Sequence, residues 1–221
     1  MIPVTSIRTL AEWLLILVPL SLIVFLGFHF IPFSGMPAAD PSGLSDNGGF
    51  FQTPLPVQEQ YTTSAGSWQY TFTSRYAYTL AGKVVGRHDY PADLPEGVIP
   101  LDLAVANGDL LKPGILPDFE FTMGDHTLEF SYMVPESTGL TDEYIQEHVS
   151  NNHLVFLNST LENEVKGTQV GDCMVIRGKL VDIRGTSRST LFQMDTSTVR
   201  NDTYPAGCEI VLVESWQPVS C

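Results

Sequence analysis

A regular alternation of large and small side chains runs through Ser67–Tyr90. From Trp68 onward every second position is large, with one gap at Ser74, and the positions between are small or polar. The large residues are Trp68, Tyr70, Phe72, Tyr76, Tyr78 and Leu80. Successive side chains of a β-strand point to opposite faces, so the pattern predicts a long, half-buried strand with an aromatic inner face. Aromatic residues at this spacing are more typical of a core than of a stacking surface for sugars or peptides.

Shorter alternating or apolar segments predict the other strands. They are Thr127–Val134, His153–Leu157, Asp172–Ile183, Thr190–Asp195 and Cys208–Val213. The apolar segment Val98–Ala106 is compatible with a strand or with a helical turn. One short soluble helix is predicted from the N-cap Thr141 to about Val149, because two acidic residues in its first turn complement the helix dipole.

These elements define the predicted fold class. Long strands with so little helix indicate a mainly β fold, a β-rich α+β arrangement. Gly82 and Gly178 lie where the chain is expected to bulge or bend. We therefore expect a small closed or half-closed barrel of the OB- or SH3-like kind, with a β-sandwich as the alternative.

The N-terminal region has a different pattern. Residues 14–31 are apolar except for Ser21 and His29, which is long enough to cross a hydrocarbon core of about 30 Å. We predict an uncleaved transmembrane helix as a membrane anchor over residues 1–32, with residues 12–32 in contact with lipid. A cleaved signal peptide is the alternative. Arg8 on the N-terminal side favours a cytoplasmic N-terminus and an extracytoplasmic C-terminal domain, a single-pass topology at the cell membrane.

Residues 33–66 are rich in proline and glycine, contain no basic residue and show neither helical nor strand periodicity. This composition predicts a linker between the membrane and the folded part. The predicted domains are therefore the anchor 1–32, the linker 33–66 and an extracytoplasmic β-rich domain over 67–221.

The charge of the chain limits its partners. The 221 residues carry a formal net charge of −14. Such a surface repels phosphate backbones, and no run of Lys and Arg offsets it, so nucleic acid is not expected as a partner. No EF-hand-like loop accompanies the acidity, which is therefore interpreted as a solubility feature.

Three cysteines occur, without a C-x-x-C motif. Cys173 and Cys208 each lie in a predicted strand and are the predicted disulfide pair in an oxidising compartment. A pair of buried free thiols is the alternative. Cys221 remains outside this pairing.

Two polar segments are the candidates for ligand binding. Arg87, His88 and Asp89 precede Tyr90 at the end of the long strand, and Asn152 and His153 follow the predicted helix. His88 and His153 are able to form half of a metal site that Asp102, Asp172 or His148 would complete. Polar side chains that hydrogen-bond to local backbone are the favoured interpretation, because neighbouring strand residues point to opposite faces.

Motifs for chemistry are absent from the sequence. It contains no H-x-H or H-E-x-x-H spacing, no G-x-S-x-G elbow and no glycine-rich phosphate loop. No catalytic residue, metal-ligand set or cofactor is therefore predicted.

Four features together resemble a group of prokaryotic single-pass membrane proteins of unknown activity. The features are the N-terminal anchor and the blocks WQYTFTSRYAYTLAGKVVGRHDY, SNNHLVFLN and GDCMVIRGKLVDI. The resemblance implies that the blocks belong to one exported β domain, and it transfers no catalytic residue.

Two functions remain open from the sequence. The first is a non-enzymatic accessory or binding module that acts on another envelope protein or complex, supported by the order of anchor, linker and β domain. The second is a membrane-tethered hydrolase or metal-dependent enzyme that uses a His/Asp site.

Overall fold

The computed structural model describes residues 49–91, 95–200 and 208–221. These residues belong to a compact unit that spans residues 39–221. The predicted anchor over residues 1–32 and the first part of the predicted linker lie outside the described residues. Among the described residues, no helix has the length and hydropathy needed to cross a bilayer.

Within the described residues the fold is mainly β, as the sequence predicts. The strands are β1 Phe50–Pro54, β2 Gln60–Ala65, β3 Trp68–Asp89, β4 Leu101–Ala106, β5 Phe119–Gly124, β6 Thr127–Tyr132, β7 Val149–Val155, β8 Cys173–Ser187, β9 Thr190–Met194 and β10 Cys208–Val219. The α-helices are α1 Asp142–His148 and α2 Ser159–Val165. Short 3-10 turns are Pro95–Val98, Gly108–Leu111, Leu116–Asp118 and Glu136–Thr138.

Eight strands form one sheet in the order β1-β3-β4-β7-β10-β8-β9, with β2 also paired to β3. In addition, β3 pairs with β8 over most of its length and with β4 near its C-terminal end. The hydrogen-bonded path from β3 through β4, β7, β10 and β8 therefore returns to β3. The pair β7–β10 is parallel, and the other pairs along this path are antiparallel. β5 and β6 form a separate hairpin.

The aromatic series of β3 serves two cores. Its register with β8 shifts between Ser74 and Tyr76, and a bulge of this kind transfers the alternation to the other face of the sheet. Tyr70 and Phe72 pack with Val181, Ile183 and Ile210, among others. Tyr78, Leu80 and Val84 pack in a second core with residues such as Leu103, Leu154 and Met174. The prediction of a single aromatic inner face is therefore wrong, because one extra residue separates its two halves.

The predicted irregularity at Gly82 lies elsewhere. The register shifts in β3 fall between Ser74 and Tyr76 and between Val84 and Gly86. Gly82 instead permits close approach of β4, since a Cβ at this position would lie 2.5 Å from the carbonyl oxygen of Ala106. A glycine in a strand marks either a bulge or a close backbone approach, and Gly82 belongs to the second case.

The second half of the predicted linker is folded. β1 and β2, within residues 50–65, both pair with β3 in antiparallel register. β2 and β3 are joined at Gly66, whose φ of 56° is readily adopted by glycine. The prediction of an irregular linker up to residue 66 is therefore wrong for β1 and β2, whose many exposed side chains weaken the periodic signal.

Several element boundaries differ from the prediction. The apolar segment from Val98 resolves into a 3-10 turn followed by β4, and β7 begins at Val149 rather than at His153. The helix α1 matches its prediction, and the Thr141 side chain accepts a hydrogen bond from the backbone N–H of Tyr144. The helix α2 was not predicted, because its seven residues present no amphipathic repeat.

The disulfide joins Cys173 to Cys221, with a Cα–Cα distance of 5.3 Å. The predicted pairing of Cys173 with Cys208 is wrong because β10 runs antiparallel to β8. Val219 near the end of β10 is opposite Cys173, whereas Cys208 at its start is opposite Asn151 of β7. The Cys208 thiol donates to the backbone carbonyl of His126.

Gly178 provides a direct test of the contact between β8 and β10. A Cβ there would lie 2.1 Å from the carbonyl oxygen of Leu212, which is backbone and has little room to move. We expect Gly178→Ala to lower the free energy of unfolding by about 1–3 kcal/mol through overpacking, measured by urea denaturation. Gly167→Ala is the control, since its Cβ would lie 3.1 Å from the Glu164 carbonyl oxygen, a much milder contact. Equal stability of Gly178→Ala and wild type would contradict this contact.

Candidate metal centre

Register places three polar side chains in one row across the sheet. His88 of β3 is opposite Asp102 of β4, and Asp102 is opposite His153 of β7. Directly opposed residues in an antiparallel pair point to the same face. The row therefore brings the end of β3 and the second half of β7 onto one surface, where the β5–β6 hairpin meets it.

The hairpin adds a fourth polar side chain, His126, which lies in the turn between β5 and β6 with a φ of 54°. Its backbone N–H donates to the Tyr90 hydroxyl at 2.8 Å. Gly86 permits the close approach of the hairpin, because a Cβ there would lie 2.8 Å from Cγ of Met123 in β5. A residue far from the row in sequence is thus positioned over Asp102 and His153.

Asp102, His126 and His153 form a compact cluster of potential ligands. One ligand atom from each lies within 4.8 Å of the other two. Nδ1 of His153 is 2.7 Å from Oδ1 of Asp102, and Nδ1 of His126 is 3.5 Å from Oδ2 of the same carboxylate. Asp102 and His153 are almost completely buried, while the His126 side chain is 18% exposed.

Tyr90 orients the carboxylate. Its hydroxyl donates to Oδ2 of Asp102 at 2.8 Å while it accepts the hydrogen bond from His126. Its ring stacks on the His126 imidazole at a centroid distance of 4.2 Å, and the His126 ring contacts that of His153 edge-on at 5.0 Å. Burial and then the negative charge of Asp102 raise the pKa of Tyr90, so it remains a neutral donor.

The charge state of Asp102 follows from two opposing effects. Burial acts to raise its pKa, but contacts with His126, His153 and Tyr90 outweigh that effect and hold the pKa below its usual value. Asp102 is therefore an ionised carboxylate inside the protein. A buried charge requires compensation by a partner charge or a metal ion.

Several polar atoms of the cluster lack a hydrogen-bond partner. These buried atoms are Oδ1 of Asp102, Nδ1 of His153 and both ring nitrogens of His126. Oδ1 of Asp102 and Nδ1 of His153 are close enough to attract one another, but their directions do not form a hydrogen bond. Buried polar groups normally have partners, and unpaired ones mark a strained or functional site.

The donor set fits a divalent transition metal. Two imidazoles and one carboxylate are typical of zinc and non-haem iron sites, whereas calcium and magnesium prefer oxygen ligands. Tetrahedral zinc with bonds of about 2.0 Å requires ligand atoms about 3.3 Å apart. The separations of 2.7 Å and 3.5 Å, which involve the two different oxygens of Asp102, lie on either side of this value.

The two segments predicted from the sequence meet in part. His153 belongs to the cluster. His88 instead contacts the Tyr90 ring at 4.6 Å, outside the set of three ligands. Asp102, one of three residues considered for completing a metal site, provides its carboxylate, while Asp172 and His148 are not in the cluster.

The remaining predicted site residues have structural contacts. Arg87 binds the Asp89 carboxylate and the backbone carbonyls of Lys166 and Thr168. Asn152 lies on the opposite face from His153, where it accepts a hydrogen bond from the Tyr78 hydroxyl and donates to the Ser150 hydroxyl. These contacts are structural, but the bonds of Arg87 to Lys166 and Thr168 and of Asn152 to Tyr78 join residues far apart in the sequence, whereas the prediction was of bonds to local backbone.

His126 was missed by sequence reasoning. It follows Asp125 in a tight turn between two amphipathic strands, and this context alone indicates only a surface turn. The hairpin places it over β4 and β7 through the Gly86–Met123 contact, which leaves no spacing signal in the sequence.

Comparison with known proteins provides no further guide. No protein-family model, curated protein or solved structure matches the chain. The chemistry of the cluster therefore has to be argued from its geometry.

Proposed function

We propose that this protein is a membrane-anchored, extracytoplasmic module that binds a divalent transition-metal ion, with zinc as the principal candidate. The observation that carries the proposal is the buried cluster of Asp102, His126 and His153, in which Oδ1 of Asp102, Nδ1 of His153 and both ring nitrogens of His126 have no hydrogen-bond partner. Zn²⁺ would be held by Asp102 and two imidazole nitrogens. It would balance the buried carboxylate charge and provide partners for the unsatisfied atoms.

Tyr90 supports the proposal because it hydrogen-bonds to the candidate ligands without being one of them. Metal-binding carboxylates and imidazoles are commonly held by a second layer of hydrogen bonds, which sets their orientation. Tyr90 provides such a bond to Asp102 and at the same time fixes the backbone of His126. Tyr90, the residue that follows β3, therefore holds two ligands from two different elements in one geometry.

Burial of the cluster favours binding over turnover. Asp102 and His153 are at most 1% exposed, so a substrate has access chiefly from the side of His126. A catalytic zinc site requires an open coordination position that substrate or water can reach. The alternative of a membrane-tethered hydrolase is therefore second, supported by the three-ligand set, which leaves a fourth position for water.

The location of the module rests on the sequence and on the disulfide. Residues 12–32, which are mainly apolar after Glu12, would contact membrane lipid, and the following domain would be exported. The Cys173–Cys221 disulfide supports this location, because disulfides persist mainly in oxidising compartments. The partner of such a module would be another envelope protein or complex.

The framework of the site is proposed to be a small barrel. The circuit of pairings through β3, β4, β7, β10 and β8 supports a barrel over a sandwich of two packed sheets. An OB-fold is a five-stranded Greek-key barrel, and five strands form this circuit. The metal cluster would lie on the outer surface of β4 and β7, beneath the β5–β6 hairpin.

Zinc titration of the full-length protein in detergent micelles tests the proposal. We expect one tight site per chain, measured by competition with a chromophoric chelator after removal of bound metal. Asp102→Asn, His126→Gln and His153→Gln should each weaken zinc binding by at least about 100-fold, since loss of an outer partner alone costs 10–100-fold. Tyr90→Phe should weaken it by about 10–100-fold.

His88→Gln is the matched control. His88 lies in the same row of the sheet but outside the ligand cluster, so its loss should change zinc affinity less than threefold. Far-UV circular dichroism checks that each variant is folded. Equal zinc binding by wild type and the His126→Gln variant would contradict the proposal, as would the absence of any tight site in the wild-type protein.

A further inference from the structure

A second feature lies apart from the metal cluster, around the disulfide. A cleft of about 360 Å³ is lined by the proline-rich segment that follows β4, by Lys83, and by both Cys173 and Cys221. Cys173 is 4% exposed, whereas Cys221 is an exposed residue. One end of the disulfide is therefore accessible from solvent, and the other is enclosed by the sheet.

Two lysines face this disulfide. Lys83 of β3 is directly opposite Cys173 of β8, a pairing that places Cβ atoms about 4.5–5.5 Å apart on one face. Lys112 lines the same cleft and also pairs with Asp109. Among the described residues Lys83 forms no salt bridge, although the chain carries 25 acidic residues and only 11 basic ones. Lys83 thus places a positive charge beside the disulfide, while Asp109 offsets the charge of Lys112.

We propose that the Cys173–Cys221 disulfide is a site of thiol–disulfide exchange whose substrate is the dithiol of an oxidoreductase. The attacking thiolate of that dithiol forms a bond with Sγ of Cys221, the accessible end. The bond between the two protein sulfurs breaks, and its electron pair leaves on Sγ of Cys173 as a thiolate beside Lys83.

The second half of the exchange releases the partner. The remaining thiol of the dithiol loses its proton and attacks the sulfur of its own first cysteine, so that the mixed disulfide breaks and Cys221 leaves as a thiolate. Both protein thiolates then take up protons. Two electrons and two protons move from the dithiol to this protein, and the partner is left with the disulfide.

Lys83 affects both the attacking and the leaving sulfur of this reaction. Exchange is faster when the attacking sulfur is a thiolate and when the leaving thiol has a low pKa. A cation close to a cysteine stabilises its thiolate. Lys83 therefore favours departure of Cys173 and also attracts the anionic attacking sulfur.

The test measures reduction of the full-length folded protein by a thioredoxin. Cysteines that become free are alkylated at timed intervals and counted by mass spectrometry. We expect Lys83→Gln to slow reduction about fivefold, because a unit charge at about 4 Å in water is worth about 1 kcal/mol. Lys166→Gln is the matched control, since Lys166 pairs with Glu162 outside the cleft and should leave the rate unchanged.

The site of attack has a separate measurement. A thioredoxin variant with serine in place of its second cysteine stops at the mixed disulfide, and peptide mapping should find it attached to Cys221. Attachment to Cys173 would overturn the proposal. Equal rates for wild type and the Lys83→Gln variant would also overturn it, as would a reduction rate equal to the global unfolding rate.

Discussion

Replacing Cys173 and Cys221 together by serine is expected to lower the free energy of unfolding by about 4 kcal/mol. The disulfide spans 48 residues, and in the loop-entropy description a closed loop of that size restricts the unfolded chain by about this amount. The loop contains β8, β9 and β10, so loss of the disulfide releases a constraint on all three strands. Urea denaturation monitored by tryptophan fluorescence measures the change.

Cys208→Ser is the control for this prediction. It removes a thiol but leaves the disulfide intact, so the loss of stability should be well below that of the double variant. The comparison also separates the two possible pairings. A Cys208→Ser variant as unstable as the double variant would mean that Cys208, and not Cys221, is bonded to Cys173.

Replacing Arg200 by methionine is expected to lower the free energy of unfolding by about 3–5 kcal/mol. Arg200 and Glu209 form an ion pair in which both side chains are at most 7% exposed. The guanidinium also lies over the Phe50 ring at 4.5 Å and donates to the carbonyl of Glu147. Removal of one partner leaves the other charge buried without compensation, which accounts for the size of the effect.

A double variant separates the charge effect from the loss of packing. Arg200→Met combined with Glu209→Leu replaces both charges by apolar groups, and such replacements of whole buried pairs are often neutral or stabilising. We therefore expect the double variant to recover most of the stability that Arg200→Met loses, as judged by the urea midpoint. A double variant that is less stable than Arg200→Met would rule out the ion pair as the cause.

Much of the fold was predictable where burial alternates along one strand. The long strand at Trp68–Asp89 and the strand ending at Tyr132 have the expected period of two. The bulge between Ser74 and Tyr76 was not predictable, because a single extra residue preserves the sequence alternation while it reverses the face. β1 and β2 were not predicted because many of their side chains are exposed, so the alternation of apolar and polar residues is weak.

The candidate site was predictable only where residues lie on adjacent strands. His153 and Asp102 were candidate metal ligands because of their residue types, and the register of β4 and β7 places them opposite one another. The position of His126 depends on the β5–β6 hairpin, which packs against β7, and such long-range contacts leave no local pattern in the sequence. The predicted disulfide pairing was wrong for a related reason, since the direction of β10 relative to β8 decides which cysteine lies close to Cys173.

The pairing of β3 with both β4 and β8 also has a consequence for the order in which the strands of this protein fold. β10 lies between β7 and β8, so the path of strands that starts at β3 remains open until residue 219 is available. Between the end of β3 and that residue lie about 130 residues, and at 5–20 residues per second their synthesis takes roughly 7 to 26 s. In the first part of that interval, until residue 187 completes β8, the aromatic side chains of β3 are exposed without their partner strand, and strand edges of this kind are prone to aggregate. Export of the nascent chain before folding would place this vulnerable stage outside the cytoplasm, where folding and oxidation of Cys173 could then occur together.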